Sequence, residues 1–237
     1  PSVSYPLPNG YGIKECVEML KKYLEKLDCK KVEAVKTREE GHPVLYGEYD
    51  ACAEKTLLIC HMYDTKPVVP EDWTLGRPFD ASIVNVAPYG KSIIARGAIN
   101  SKSSLRAFLN ALESIQAVGE ELPVNLKFVI EGEEEMGSVS VAFFVSKYAE
   151  RLRGAGGVWM PSANTSGRIT LGGKGEVFFE MECSGEQWGN GPIKHGIHGS
   201  NKAWVDSPVW RMIHALATMT SEDGNKALID GFYDGIV

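Results

Sequence analysis

The chain has little of what would commit it to nucleic acid, a membrane or disulfide chemistry. Lysine and arginine number 25 against 31 aspartates and glutamates, for a formal net charge of −6. That balance gives no basic surplus to attract polyphosphate or anionic lipid. No stretch approaches the roughly 18 apolar residues of a membrane span, and the N-terminal segment lacks the charged start and apolar run of a signal peptide. The expectation is a cytoplasmic protein with neither nucleic acid nor membrane as partner. The five cysteines are odd in number and form no C-x-x-C pair, which argues against a disulfide framework or a structural zinc knot and for reduced thiols. Internal repeats and low-complexity tracts are absent too. What remains, at 237 residues and 43% hydrophobic content, is enough for one large α/β domain and part of a second.

Within that ordinary composition one segment is dense. VIEGEEEMGS, Val129 to Ser138, places four carboxylates in five residues behind an apolar run. Val124 to Ile130 reads as a buried strand, opened by Pro123 and closed by Gly132. Ligands bind at the carboxyl ends of strands in open α/β sheets, so Glu133, Glu134 and Glu135 stand where a carboxylate can hold a metal or move a proton. The competing reading is a solvated acidic loop, since glutamate is mostly exposed.

Along the chain, Ile13, Val17, Leu20, Leu24 and Leu27 repeat at helical spacing after an irregular lead-in rich in Pro and Gly. Strands are predicted at Val32 to Val35, Val44 to Tyr49 and Thr56 to Cys60. Residues 66 to 91 carry four prolines and read as a long ordered loop ending in a strand at Ile93 to Ala95. A helix with a Leu105, Phe108, Leu112, Ile115 stripe follows, then the strand before the acidic cluster, a helix over about 138 to 149 and a strand near Val158. Alternation of strand and helix marks the α/β class. After residue 175 the texture changes: VFFEMECSG reads as a long strand, QWGNGPIKHGIHGS as a loop, and Ser207 to Met219 as a helix.

Three segments, LLICHMYDTKPV with DWTLGRPF, ARGAINSKSSLRAFLNALE and FVIEGEEEMGS, together resemble the metal-dependent amidohydrolase and exopeptidase family that includes carnosinase, acetylornithine deacetylase and succinyl-diaminopimelate desuccinylase. GIHGSNKAWVDSPVWRMIHALATM resembles its lid domain. The resemblance implies an α/β fold: a mixed-sheet, zinc-exopeptidase-like catalytic domain over residues 1–175, and the beginning of an inserted α+β lid or dimerisation domain over 176–237. It also implies an incomplete chain, with the remaining catalytic-domain chain expected from elsewhere, because the family's last histidine ligand follows the lid.

The implied reaction is hydrolysis of an amide-type C–N bond in a small acylated amino acid or dipeptide. One or two zinc or manganese ions would activate water, with Glu134 as general base, Glu135 as metal ligand and Asp64 as a further catalytic residue. His198 aligns with a lid histidine that in dimeric members reaches the neighbouring subunit and steadies the carbonyl oxygen, so a homodimer is implied, with His198 in catalytic and substrate-binding roles.

Departures from the pattern accompany the matches. The bridging aspartate is Asn100, a neutral amide with one weak carbonyl ligand. His61 stands three residues before Asp64 instead of two, so either His61 or Met62 occupies the first ligand position. The segment WMPSANTS, where a further carboxylate belongs, has no acid, and Ser162 is its nearest polar candidate. A relative with a degraded metal site, binding its ligand without two-metal chemistry, is the alternative. Lys102 is expected to support the site loop electrostatically and Arg96 and His214 to be structural. His42 is expected to be exposed and His195 to lie in a solvated loop.

Overall fold

The structure, a computed structural model, describes residues 1–5, 11–162, 167–173, 175 and 177–235. Two compact units divide the chain, Pro1–Arg168 and Ile169–Val237.

In the first unit, helix α1 (Ile13–Lys26) buries Ile13, Cys16, Val17, Leu20 and Leu24, the stripe its sequence spacing predicts. Strands β1 (Lys31–Val35), β2 (Val44–Tyr49) and β3 (Thr56–Met62) follow. The proline-rich stretch after them is not only a loop. It contains an antiparallel hairpin, β4 (Ser82–Val86) and β5 (Gly90–Ile94), in register from Ser82 opposite Ile94 to Val86 opposite Gly90. Both strands alternate between half-buried and exposed positions. A ribbon stabilised by ladder hydrogen bonds needs no apolar run, and the prolines fall in its flanks and turn. Helix α2 (Ser103–Ala117) buries Leu105, Leu109 and Leu112. Strand β6 (Asn125–Glu131), helices α3 (Val139–Lys147) and α4 (Ala149–Leu152), and strand β7 (Ala155–Trp159) complete the unit.

The main sheet runs in the order β1-β2-β6-β3-β7. The β1/β2 and β2/β6 pairs are antiparallel, while β3 lies parallel to both β6 and β7. This is the mixed sheet of an α/β fold. One face carries α1 and α2 against Leu45, Ile59, Phe128 and Ile130, and the other carries Phe144 of α3 against Val44, Tyr46 and Val129. Alternation along β6 therefore buries both faces, which is why its sequence reads as a continuous apolar run. Gly47 is bare because a Cβ there would come within 2.9 Å of the Leu24 side chain of α1. In the register, Met62 at the end of β3 faces Glu131 at the end of β6, so the segments that leave these strands emerge side by side.

The second unit differs from its sequence reading in one respect. Residues 177–184 form no strand, and Val177, Phe178 and Phe179 are 75 to 87% exposed. A strand is stable only where a neighbour satisfies its backbone groups, and no described segment pairs with this one. Helix α5 (Pro208–Met219) begins with proline in its first turn, as a missing N–H there costs nothing. Among the described residues no helix is long and apolar enough to cross a membrane.

Candidate active site

The acidic segment is not a solvated loop. Where β3 and β6 end, the Asp64 carboxylate reaches across and accepts the backbone N–H groups of Glu134 and Glu135, each at 3.1 Å. Asp64 is fully buried, and burial pushes its pKa up against these hydrogen bonds. The two strand ends are thereby tied through one side chain. Gly132 permits the turn between them, because a Cβ there would collide with the ring of Tyr63. Tyr63 is itself fully buried, and its hydroxyl donates to the Pro43 carbonyl at 2.7 Å.

The four carboxylates have different fates. Glu131 accepts from the Ser138 hydroxyl at 2.8 Å through one oxygen, while its other oxygen is buried without a partner. Burial pushes its pKa up to about 7, with Asp64, Glu134 and Glu133 adding to the shift and Ser138 opposing it. Glu133 is fully buried and accepts from the His42 N–H at 2.7 Å, the Ser140 N–H at 2.9 Å and the Arg38 guanidinium at 2.8 Å. Burial works to raise its pKa, but these donors outweigh it and hold the group below the ordinary value. Glu133 is thus a structural anchor, where its sequence position suggested metal or proton chemistry. Glu135 accepts the Asn100 side-chain amide N–H at 3.2 Å and lies 3.5 Å from the Lys66 ammonium. Glu134 differs from the other three: among the described residues its carboxylate has no hydrogen bond and no ion pair. Burial, then Glu135 and Asp64, raise its pKa, with Lys66 opposing.

His61 is 1% exposed and turned into the core. Its Nδ1 lies 2.8 Å from the Met62 N–H and 2.9 Å from the Met62 carbonyl, and its Nε2 meets the Ser104 hydroxyl at 3.0 Å. Ser104 in turn donates to the Ser101 carbonyl at 2.7 Å. Burial lowers the imidazole pKa, consistent with a neutral ring whose two nitrogens are both engaged. Asn100 sits at a break in the short helical turn Ala98–Lys102, with φ −110° and ψ 97°. Lys102, half a turn on, donates to the Ser2 hydroxyl at 2.7 Å and the Tyr63 carbonyl at 2.9 Å, a local brace for the same strand end. His42, expected on the surface, is 5% exposed. Its Nε2 meets the Ser4 carbonyl at 2.9 Å while its N–H serves Glu133. A histidine before proline looks like a loop residue in sequence, and only the fold shows what surrounds it.

The residues that could hold a metal do not make a set. Among the described residues no group of three or more His, Cys, Asp or Glu side chains converges as metal ligands. Both His61 nitrogens are taken, and Met62, at the alternative position, is a soft thioether only 2% exposed. Asn100 turns an N–H, not its carbonyl, to Glu135. Ser162 is exposed; residues 163–166 lie outside the described residues, and their sequence, ANTS, holds no acid. The donor chemistry of this part of the chain therefore does not fit a zinc or manganese pair.

In the second unit, His198 is exposed and its Nδ1 accepts the Ser200 N–H at 3.2 Å. The ring proton then belongs on Nε2, which is left as a donor. His198 lines an open cavity of about 370 Å³ together with Lys194, His195, Lys202 and Asp206. His214 is exposed on α5, 6.4 Å from the Trp210 ring.

The mixed α/β sheet thus carries a carboxylate cluster where its parallel strands β3 and β6 end. Residues 58–230 match the family described as Peptidase family M20/M25/M40, and the chain belongs to that family. It is similar to an M20 family metallo-carboxypeptidase from Sulfolobus solfataricus, with 34% identity and a TM-score of 0.75, covering 100% of this chain and 51% of that one. It is 27% identical over 205 residues to the Beta-Ala-His dipeptidase of Homo sapiens, covering 82% of this chain and 37% of that protein. It is 27% identical over 200 residues to the Cys-Gly metallodipeptidase DUG1 of Candida albicans, covering 81% and 39%. The chain thus spans less than half the length of these two curated relatives.

Proposed function

We propose that the protein hydrolyses the C–N amide bond of a small dipeptide-like or acylated amino acid substrate, with Glu134 as the group that takes a proton from the attacking water and returns it to the leaving amine. The observation that carries this reading is the contrast within the acidic segment. Glu131, Glu133 and Glu135 are each held by hydrogen bonds, whereas Glu134 has its backbone clamped by Asp64 and its carboxylate, among the described residues, without a hydrogen bond or ion pair. A fixed backbone with an unengaged carboxylate at a strand end is what a general base requires. The relatives' names, a carboxypeptidase and two dipeptidases, support a peptide-type substrate. Asp64 acts here as the positioning residue for Glu134.

The donor set of this part of the chain does not fit a metal pair, and the proton transfer falls to Glu134 itself. His198, with Nε2–H free to donate, is proposed to steady the substrate carbonyl oxygen as charge develops. Homodimer formation through the second unit is proposed with it, supported by the exposed Val209, Trp210, Ile213 and Leu216 of α5. A second reading, ligand binding without turnover, is favoured by the Asn100 amide seated on Glu135.

The test is a panel of dipeptides and acyl amino acids offered to the full-length protein and to Glu134→Gln. Loss of turnover with retained binding is expected in the variant. Near-normal rates would remove Glu134 from the mechanism, and absence of turnover in the parent protein would favour the binding reading.

A further inference from the structure

We infer that Lys66 is the resident cation of this site and that, with Asn100, it balances the Glu135 carboxylate so that the site stands without a divalent metal. The inference rests on reading the ends of β3 and β6 as the reaction centre. Both oxygens of Glu135 are already matched by donors: Oε1 takes the Asn100 Nδ2–H at 3.2 Å and Oε2 faces the Lys66 Nζ at 3.5 Å. The amide orientation follows from the carboxylate, since the opposite flip would set carbonyl oxygen against carboxylate oxygen. The Glu135 side chain is 15% exposed, while the Lys66 side chain that reaches it from solvent is 64% exposed. A divalent ion binding here would compete with the ammonium for Glu135 and would need the amide reversed.

The neighbouring groups offer such an ion little. Asp64 is committed to two backbone N–H groups, His61 to Met62 and Ser104, and Met62 presents sulfur. Among the described residues Glu134 is left as the one carboxylate of this segment without a partner, and a single carboxylate holds zinc or manganese weakly. The residues present also agree with one another in sign. Asn100 and Met62 are neutral, and Lys66 beside Glu135 supplies a positive charge where a bound ion would otherwise have to.

Elemental analysis and zinc titration of the full-length protein after chelator treatment test the inference, with thermal shift as a readout independent of turnover. Substoichiometric metal and no zinc-dependent shift are expected. The double variant Met62→His with Asn100→Asp should gain saturable zinc binding. Adding Lys66→Ala to it should tighten that binding by roughly three- to tenfold, as a like charge near the ion is removed. One or more equivalents of zinc retained by the parent protein, or an affinity indifferent to Lys66→Ala in the double variant, would overturn the inference. The result is separable from the hydrolase reading. Chelator-insensitive dipeptide hydrolysis supports both. A metal-free protein without turnover supports this inference and refutes hydrolysis, and zinc-dependent turnover does the reverse.

Discussion

Glu133→Gln and Glu134→Gln alter adjacent residues by the same chemistry, and the structure expects opposite consequences. Glu133 uses both carboxylate oxygens: one for the His42 N–H, the other for the Ser140 N–H and Arg38. Glutamine has one acceptor oxygen. Whichever way its amide turns, its NH2 confronts at least one buried N–H, and the charge opposite Arg38 is gone. Hydrogen bonds to a charged group contribute about 1.5–3 kcal/mol each, and unpairing one member of a buried ion pair costs about 3–5 kcal/mol. Arg38 is 24% exposed in its side chain, so water recovers part of that loss, and about 2–4 kcal/mol is expected for Glu133→Gln. For a chain of this size that corresponds to a fall in Tm of roughly 5–15 °C.

The sign with pH follows from the lowered pKa of Glu133. Its stabilisation is present above the ordinary value of 4.5 and is lost as pH falls through the lower folded value, and the variant should lose that dependence. Urea unfolding of the full-length proteins at neutral pH is the assay, with Glu134→Gln as control. Equal stability of Glu133→Gln and parent protein would refute the anchoring role.

The other predictions concern the same turn. Gly132→Ala should destabilise by about 1–3 kcal/mol, because the added methyl meets the fully buried Tyr63 ring; thermal unfolding would show it, and an unchanged Tm would mean that Tyr63 can move aside. Glu131, with a folded pKa of about 7 against an ordinary 4.5, binds its proton more tightly when folded. Its contribution to stability therefore declines as pH rises through that window and is flat above it, so Glu131→Gln should gain on the parent protein between pH 5 and 8, as measured by denaturation at each pH. Glu134→Gln should leave stability unchanged or slightly raised, since it removes a charge facing Glu135 and Asp64; a large loss would make Glu134 a structural residue.

The main sheet and its helices were legible because their residues carry periodic burial. Helix α1 shows its Val17, Leu20, Leu24 stripe, and β6 reads as an apolar run because both its faces are covered. The hairpin of β4 and β5 escaped because Ile83 and Ile93 are exposed, at 73% and 62%, and no buried face imprints a pattern on it. VFFEMECSG misled for the opposite reason, since it has strand composition but no described partner to pair with. Composition reports what a segment could bury, and pairing decides whether it does.

The site was legible in position but not in role. Four carboxylates in five residues announced a site without saying which of them is free. That depends on Arg38, His42 and Ser140, which are 95, 91 and 7 residues from Glu133, and on Lys66 and Asn100 for Glu135. The residues that distinguish Glu134 from its neighbours act by leaving it alone, and no local pattern encodes an absence of partners. The same logic applies to Asp64. Its spacing from His61 invites a reading as a partner to a metal-bound histidine, yet its two oxygens hold backbone N–H groups of the glutamates. An aspartate so used fixes the backbone of Glu134 and Glu135 by itself, whether or not a metal stands nearby.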